Sequence, residues 1–205
     1  SVGAALPLAT SALGGLPSLR KDEVRVGVIG CGGRGTGAAM NALQASPDIR
    51  IHAMGDLFAD RMISSRDGLR GQVERFGDRA APPEENCFAG WDAYQNVLAT
   101  DCDYVILATP PGFRPQHFEA AIAAGKHVFM EKPVAVDPVG IRKVMAAAKS
   151  ADEQKLSVVA GTQRRHEKCY LEMIERIRNG AIGTPVAARC YWNQSGLWSI
   201  DAQAD

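Results

Sequence analysis

The stretch Val24-Arg25-Val26-Gly27-Val28-Ile29-Gly30-Cys31-Gly32-Gly33-Arg34-Gly35-Thr36-Gly37 decides the fold. Val24, Val26, Val28 and Ile29 form a short, mostly β-branched apolar run, the pattern of a strand covered on both faces. The run leads directly into Gly30, Gly32 and Gly35, which fill the pattern G-x-G-x-x-G. In that pattern the first glycine permits a tight turn, the second lets a phosphate approach the backbone, and the third lets helix and strand pack closely. A helix starting there would offer unpaired N–H groups and its positive dipole end to a dinucleotide pyrophosphate. A chain with 21 glycines produces such a pattern by accident, so its flanks decide its meaning.

The flanks agree with it. Ala38, Ala39, Met40, Ala42 and Leu43 support a helix that Pro47 stops. A second strand over residues 49–55 then delivers Asp56, about twenty residues beyond the last motif glycine. A carboxylate there can accept a hydrogen bond from a ribose 2′-hydroxyl and would repel a 2′-phosphate, which favours NAD. Arg61, close by in sequence, keeps NADP open. Asp56 could also be a plain helix N-cap. Cys31, Gly33, Arg34 and Leu57 complete the expected cofactor-facing set at this end. Cys31 has two readings: a thiol activated by the helix start, or a small residue suited to a tight turn, and the second needs less.

Length and composition set the remaining bounds. With 205 residues, 46% of them hydrophobic, the chain can bury a core for one domain and part of another. Its 23 basic and 23 acidic residues cancel, which removes any global electrostatic argument for nucleic acid or an anionic membrane surface. Five cysteines are spread widely, with no C-x-x-C pair and no spacing suited to a metal, so none is expected. Residues 1–22 begin without Met and carry no charge before Arg20. They read as a leader or signal-peptide remnant, which would suit an exported, periplasmic protein, or as a disordered leader, which would leave a cytoplasmic one, and they are too short and too rich in Gly and Pro for a membrane span.

Beyond Asp56, helical patterns over 58–76, 91–99, 115–124 and 137–150 alternate with strand patterns over 86–88, 104–108, 127–130 and 156–160. Alternation of this kind implies a Rossmann-type α/β fold, a doubly wound parallel sheet with helices on both faces. Residues 77–85, with Pro82 and Pro83, read as a surface loop. Ligands in such sheets collect at the carboxyl ends of strands. Two strand ends therefore stand out: Thr109-Pro110-Pro111, and Glu131-Lys132-Pro133 after Gly125-Lys126-His127-Val128-Phe129-Met130. Lys126 precedes its strand and is expected to be exposed.

Thr109-Pro110, His117, Gly125-Lys126-His127-Val128 and Glu131-Lys132-Pro133, in this order, resemble the Gfo/Idh/MocA oxidoreductases, the glucose-fructose oxidoreductase and inositol dehydrogenase family. The likeness runs from Val24 to about Asn193. It implies that Lys132 is the active-site lysine, close to the nicotinamide and the substrate hydroxyl, with Glu131 and Pro133 shaping the turn around a prolyl bond that could be cis. Such a lysine can hydrogen-bond a sugar hydroxyl and stabilise the developing alkoxide. His117 is expected to be a packed helix histidine rather than a base. The resemblance also implies that Gln163, Arg164 and Arg165, after the last strand, face nicotinamide and substrate, with Arg164 the choice for the cleft and His166 a helix-start group.

A helix is expected over 169–179, and a strand over 186–192 would open an α+β second domain, giving boundaries of 23–160 and 161–205. Trp192, Asn193 and Trp198 could meet a carbohydrate face. In relatives the rest of that domain supplies the substrate wall, the oligomer contact and a proton-transfer group. The implied activity is hydride transfer between nicotinamide and a sugar, cyclitol or glycoside hydroxyl, in a homo-oligomer once the second domain is complete. The 205-residue chain alone is expected to be inactive. A non-catalytic nucleotide-binding module, or a relative that borrows and returns the hydride to cleave a glycoside or epimerise a centre, are the alternatives.

Overall fold

A computed structural model describes residues 23–196; the expected leader and Trp198 lie outside them. The chain divides into two compact units, Ser1–Gly161 and Thr162–Asp205.

In the first unit, β1 (Val24–Ile29), β2 (Ile49–Asp56), β3 (Cys87–Ala89), β4 (Tyr104–Leu107), β5 (His127–Met130) and β6 (Val158–Ala160) form one sheet in the order β3-β2-β1-β4-β5-β6. Every pairing is parallel. This order reverses direction between β1 and β4, and there the carboxyl ends of two strands open a crevice. Helices α1 (Gly33–Ala45), α2 (Ala59–Arg70), α3 (Val73–Phe76), α4 (Ala93–Ala99), α5 (Arg114–Ala123) and α6 (Pro138–Glu153) make the crossovers. One core lies under α1 and α2, with Val26, Val28, Leu43, Ile51, Met54 and Leu69 buried together. The other, under α4 to α6, holds Ile29, Val97, Val105, Leu107, Phe118 and Ile122. The two cores on opposite sides explain why β4 reads as an unbroken apolar run and why β1 is apolar from Val26 to Ile29.

Several expected boundaries shift. The helix expected over 58–76 breaks into α2 and α3 at Gly71-Gln72, where the backbone leaves the helical ladder. The loop expected over 77–85 contains two short 3-10 turns, Gly77–Ala80 and Glu84–Asn86. Lys126 is half-buried rather than exposed, because its ammonium caps the backbone carbonyls of Thr100 and Cys102 at 3.0 and 2.8 Å.

The second unit contains the 3-10 turn Gln163–Arg165 and α7 (Lys168–Arg178), which ends as the chain turns through Gly180 at φ 85°. The strand expected over 186–192 does not form: these residues are exposed and irregular, with no partner strand among the described residues to take their backbone hydrogen bonds. Alternating side chains make a strand only when a neighbour satisfies its N–H and C=O groups.

Candidate dinucleotide site

The glycine loop is built as its sequence requires. Gly30 takes φ 97°, which returns the chain from the end of β1 into α1. A β-carbon on Gly35 would lie 1.7 Å from the Gly30 carbonyl oxygen, so only glycine allows α1 to start this close to β1. Gly32 and Gly33 are the opposite case, with open space where a β-carbon would stand. Gly32 is the N-cap of α1 and has no side chain to cap the helix. Bare backbone, open space and a helix start together fit a pyrophosphate.

Asp56, at the end of β2, reaches this loop. One carboxylate oxygen accepts the Cys31 N–H at 2.6 Å and the other accepts the Phe58 N–H at 3.0 Å. Each oxygen keeps a further lone pair, so both can also take ribose hydroxyls. The residue is not the N-cap of α2; that position belongs to Phe58. Leu57 is half-buried beside it. The Cys31 thiol is buried, bonds the Gly55 carbonyl, and is pushed up to about 12 by burial and then by Asp56. This decides between the two readings of Cys31: it is an inert packing residue, and the helix start does not activate it.

The second half of the site is assembled from the ends of β4, β5 and β6. The Ala108 N–H donates to Ile29, Glu131 to Leu107, and Gly161 to Met130, so consecutive strand ends step across the sheet in register. Lys132 is exposed at the end of β5, and its bond to Pro133 is cis. Glu131 points the other way and is buried. Its carboxylate accepts the Arg34 Nε–H at 2.6 Å, joining the first turn of α1 to the turn that carries Lys132. Both Glu131 oxygens also lie 3.1 Å from where a Gly161 β-carbon would stand, so that glycine lets β6 end against the pair.

Thr109 is half-buried and Pro110 exposed after β4. The Thr109 hydroxyl bonds His117 Nδ1 at 3.1 Å, and the imidazole stacks on Tyr94 with centroids 4.4 Å apart. Burial, then the neighbouring Arg114 cation, pull His117 down to about 4, so it is neutral and packed at pH 7.

Arg114 is the feature that sequence reading missed. It is 1% exposed and donates to the carbonyls of Leu107 at 2.6 Å, of Glu131 at 2.7 Å, and of Thr109. A signal existed: a cation in the first turn of a helix opposes the dipole, and that misfit asks for another role.

In the second unit, Gln163, Arg164 and Arg165 are exposed. Arg164 donates from Nε to the Tyr170 hydroxyl at 2.9 Å, and its guanidinium lies over the Trp192 ring at 4.6 Å. Trp192 is thereby engaged within its own unit. Among the described residues there is no cluster of three or more His, Cys, Asp or Glu that could hold a metal, and no helix long and apolar enough to cross a membrane.

A parallel sheet of this order, with its glycine loop and Asp56 at the crevice, defines a dinucleotide-binding Rossmann domain. Residues 24–160 match the Gfo/Idh/MocA model, an oxidoreductase family with an NAD-binding Rossmann fold, and the chain belongs to that family. Inositol 2-dehydrogenase 3 of Saccharopolyspora erythraea is 32% identical over 167 residues, which are 82% of this chain and 44% of that one. A glycosyl hydrolase family 109 protein of Streptomyces coelicolor is 28% identical over 170 residues, 82% of this chain and 34% of that one. Among solved structures, a 3-ketoreductase from Actinomadura kijaniata in complex with TDP-benzene and NADP aligns with a TM-score of 0.57 and 28% identity, covering 78% of this chain and 45% of that one. The chain spans about half the length of the curated relatives it matches.

Proposed function

We propose that this chain is the nucleotide-binding half of an NAD(P)-dependent oxidoreductase that moves hydride between a nicotinamide and a hydroxyl-bearing carbon of a cyclitol, sugar or glycoside. The observation that carries it is the Asp56 carboxylate, held 2.6 Å from the Cys31 amide of an open glycine loop. Gly32 and Gly33 would take the pyrophosphate, Asp56 the adenosine ribose, and the Thr109 and Glu131–Lys132 turns the nicotinamide end. The dinucleotide supplies the hydride donor or acceptor when bound. Lys132, exposed beside that end, would donate a hydrogen bond to the substrate oxygen and stabilise negative charge there. Arg164 and Trp192 are proposed substrate contacts, with Gln163 near the cofactor. Similarity to an inositol 2-dehydrogenase supports a cyclitol substrate. The carboxylate at position 56 favours NAD over NADP.

Similarity to a glycosyl hydrolase supports a second reading, in which the hydride is taken from a glycoside and later returned to it. The same binding residues serve both. Export through a leader, and a homo-oligomer formed by the complete second domain, are further parts of this proposal.

The test is a titration of the protein with NADH and NADPH, followed by tryptophan fluorescence, for the wild type, Asp56→Ala and Lys132→Ala. NADH is expected to bind saturably, and Asp56→Ala to weaken it about tenfold, the loss of one charge-assisted hydrogen bond. Lys132→Ala should leave nucleotide binding nearly intact and, in a chain that carries the complete second domain, abolish oxidation of myo-inositol or turnover of an aryl glycoside. Absence of saturable binding by either nucleotide would sink the proposal.

A further inference from the structure

Arg114 is the most completely buried charged side chain described, and its position is unusual. It begins α5, packed between the ends of β4 and β5, and Pro115 follows it at the start of the helix. Nη1 donates to the Leu107 carbonyl at 2.6 Å and the Glu131 carbonyl at 2.7 Å, while Nη2 donates to the Thr109 carbonyl. The first and third carbonyls bound the turn after β4; the second belongs to the peptide that leads into Lys132. Nε is buried without a hydrogen-bond partner. Burial pulls the Arg114 guanidinium below its usual range, and the nearby Glu131 carboxylate opposes that by favouring the cation. Leaving a guanidinium buried with an idle N–H is costly, and simple packing would be served better by an apolar side chain.

We infer that Arg114 is a positioning residue: it locks the turns after β4 and β5 to each other, so that Thr109 and Lys132 meet the nicotinamide end as one rigid unit. The argument is geometric. A planar guanidinium has donors in a fixed fork, and three carbonyls converging on it leave those turns no independent movement. Lysine carries its three donors on one freely rotating nitrogen rather than across a rigid fork, so it would hold the turns less firmly. The effect reaches the nicotinamide through the turns, because Arg114 itself is too deeply buried to touch a ligand. His117 and Thr109 support the same turn from α5 through their mutual hydrogen bond.

This inference rests on the proposed dinucleotide role, and its test separates the two. ADP-ribose, which lacks the nicotinamide, reports on the glycine loop and Asp56 alone; the emission of bound NADH reports on the surroundings of the nicotinamide ring. Both are measured for the wild type, Arg114→Lys and Arg114→Gln, with melting curves to confirm folding. The wild type is expected to enhance and blue-shift bound NADH emission. Arg114→Gln should bind ADP-ribose within about twofold of the wild type yet return bound NADH emission toward that of free NADH, with Arg114→Lys between them. If Arg114→Gln does not fold, Arg114→Lys carries the test, with the same separation between the two ligands. Equal weakening of ADP-ribose and NADH, or wild-type emission in both variants, would overturn the positioning role and leave Arg114 a structural residue. Unaltered NADH emission in a wild type that binds it would also overturn the role, since the nicotinamide would not rest on these turns. A wild type that binds neither ligand would overturn the dinucleotide reading and this inference with it.

Discussion

Alanine at Gly35 and alanine at Gly32 differ by one methyl each from the wild type, and their consequences should separate folding from binding. At Gly35 the added β-carbon would sit 1.7 Å from the Gly30 carbonyl oxygen and 2.9 Å from its carbon, both backbone atoms that no rotamer change can move. Ordinary contact needs more than 3 Å, so the start of α1 must retreat from β1 by over an ångström. Overpacking of this kind costs about 3 kcal/mol, and the better helix propensity of alanine returns about 1 kcal/mol, leaving a net loss of about 2 kcal/mol. At Gly32 nothing lies within 4 Å of the new carbon and φ is −70°, so the only loss should be the N-cap preference for glycine over alanine, about 0.5–1 kcal/mol. The open space there is the proposed phosphate cradle, and Gly32→Ala should weaken NADH binding by about tenfold or more. Urea unfolding of both variants, with the slopes compared, reads the first quantity, and NADH titration reads the second. Equal stabilities for the two variants would refute the packing argument; a Gly32→Ala protein that binds NADH like the wild type would refute the cradle.

Two further outcomes follow from perturbed titrations. His117 is drawn from 6.5 to about 4 in the folded protein, so the unfolded chain binds the extra proton between those values. Stability is therefore fully present above pH 6.5 and falls as pH drops toward 4, by about 3 kcal/mol in all. Urea midpoints across pH 4 to 7 should show that slope in the wild type and a shallower one in His117→Gln; identical slopes would contradict it. Iodoacetamide at pH 7.5 should label the exposed Cys169 and Cys190 first and leave the buried Cys31 and Cys102 unmodified until the protein unfolds. Rapid loss of the Cys31 thiol, followed by mass spectrometry, would revive the activated-thiol reading.

What could be read without coordinates was whatever near neighbours enforce. The β-branched run of β1, the prolines after helix α1 and within the Pro82-Pro83 stretch, and the glycine spacing each act within a few residues, and together they implied a parallel, doubly wound sheet. The strand at His127–Met130 matched its expected bounds, because apolar residues lie between Gly125-Lys126 and a proline turn. Local signals failed where a partner was missing. Alternation over residues 186–192 implied a strand, but no described strand pairs with it. They also failed at Lys126, whose charge implied solvent and whose place is fixed by two carbonyls from the Thr100–Cys102 turn.

The sequence by itself determined the glycine loop, the acid at the end of β2 and the lysine at the end of β5, since each follows from residue type and its distance from a strand. Only the tertiary structure decided how they are joined. Arg34 and Glu131 are 97 residues apart, and the side chain–carbonyl bond from Arg114 to Glu131 spans 17. Nothing local pairs them. They meet because the order β3-β2-β1-β4-β5-β6 lays β1, β4 and β5 side by side with all carboxyl ends on one edge, so that residues remote in the chain become neighbours in a single crevice.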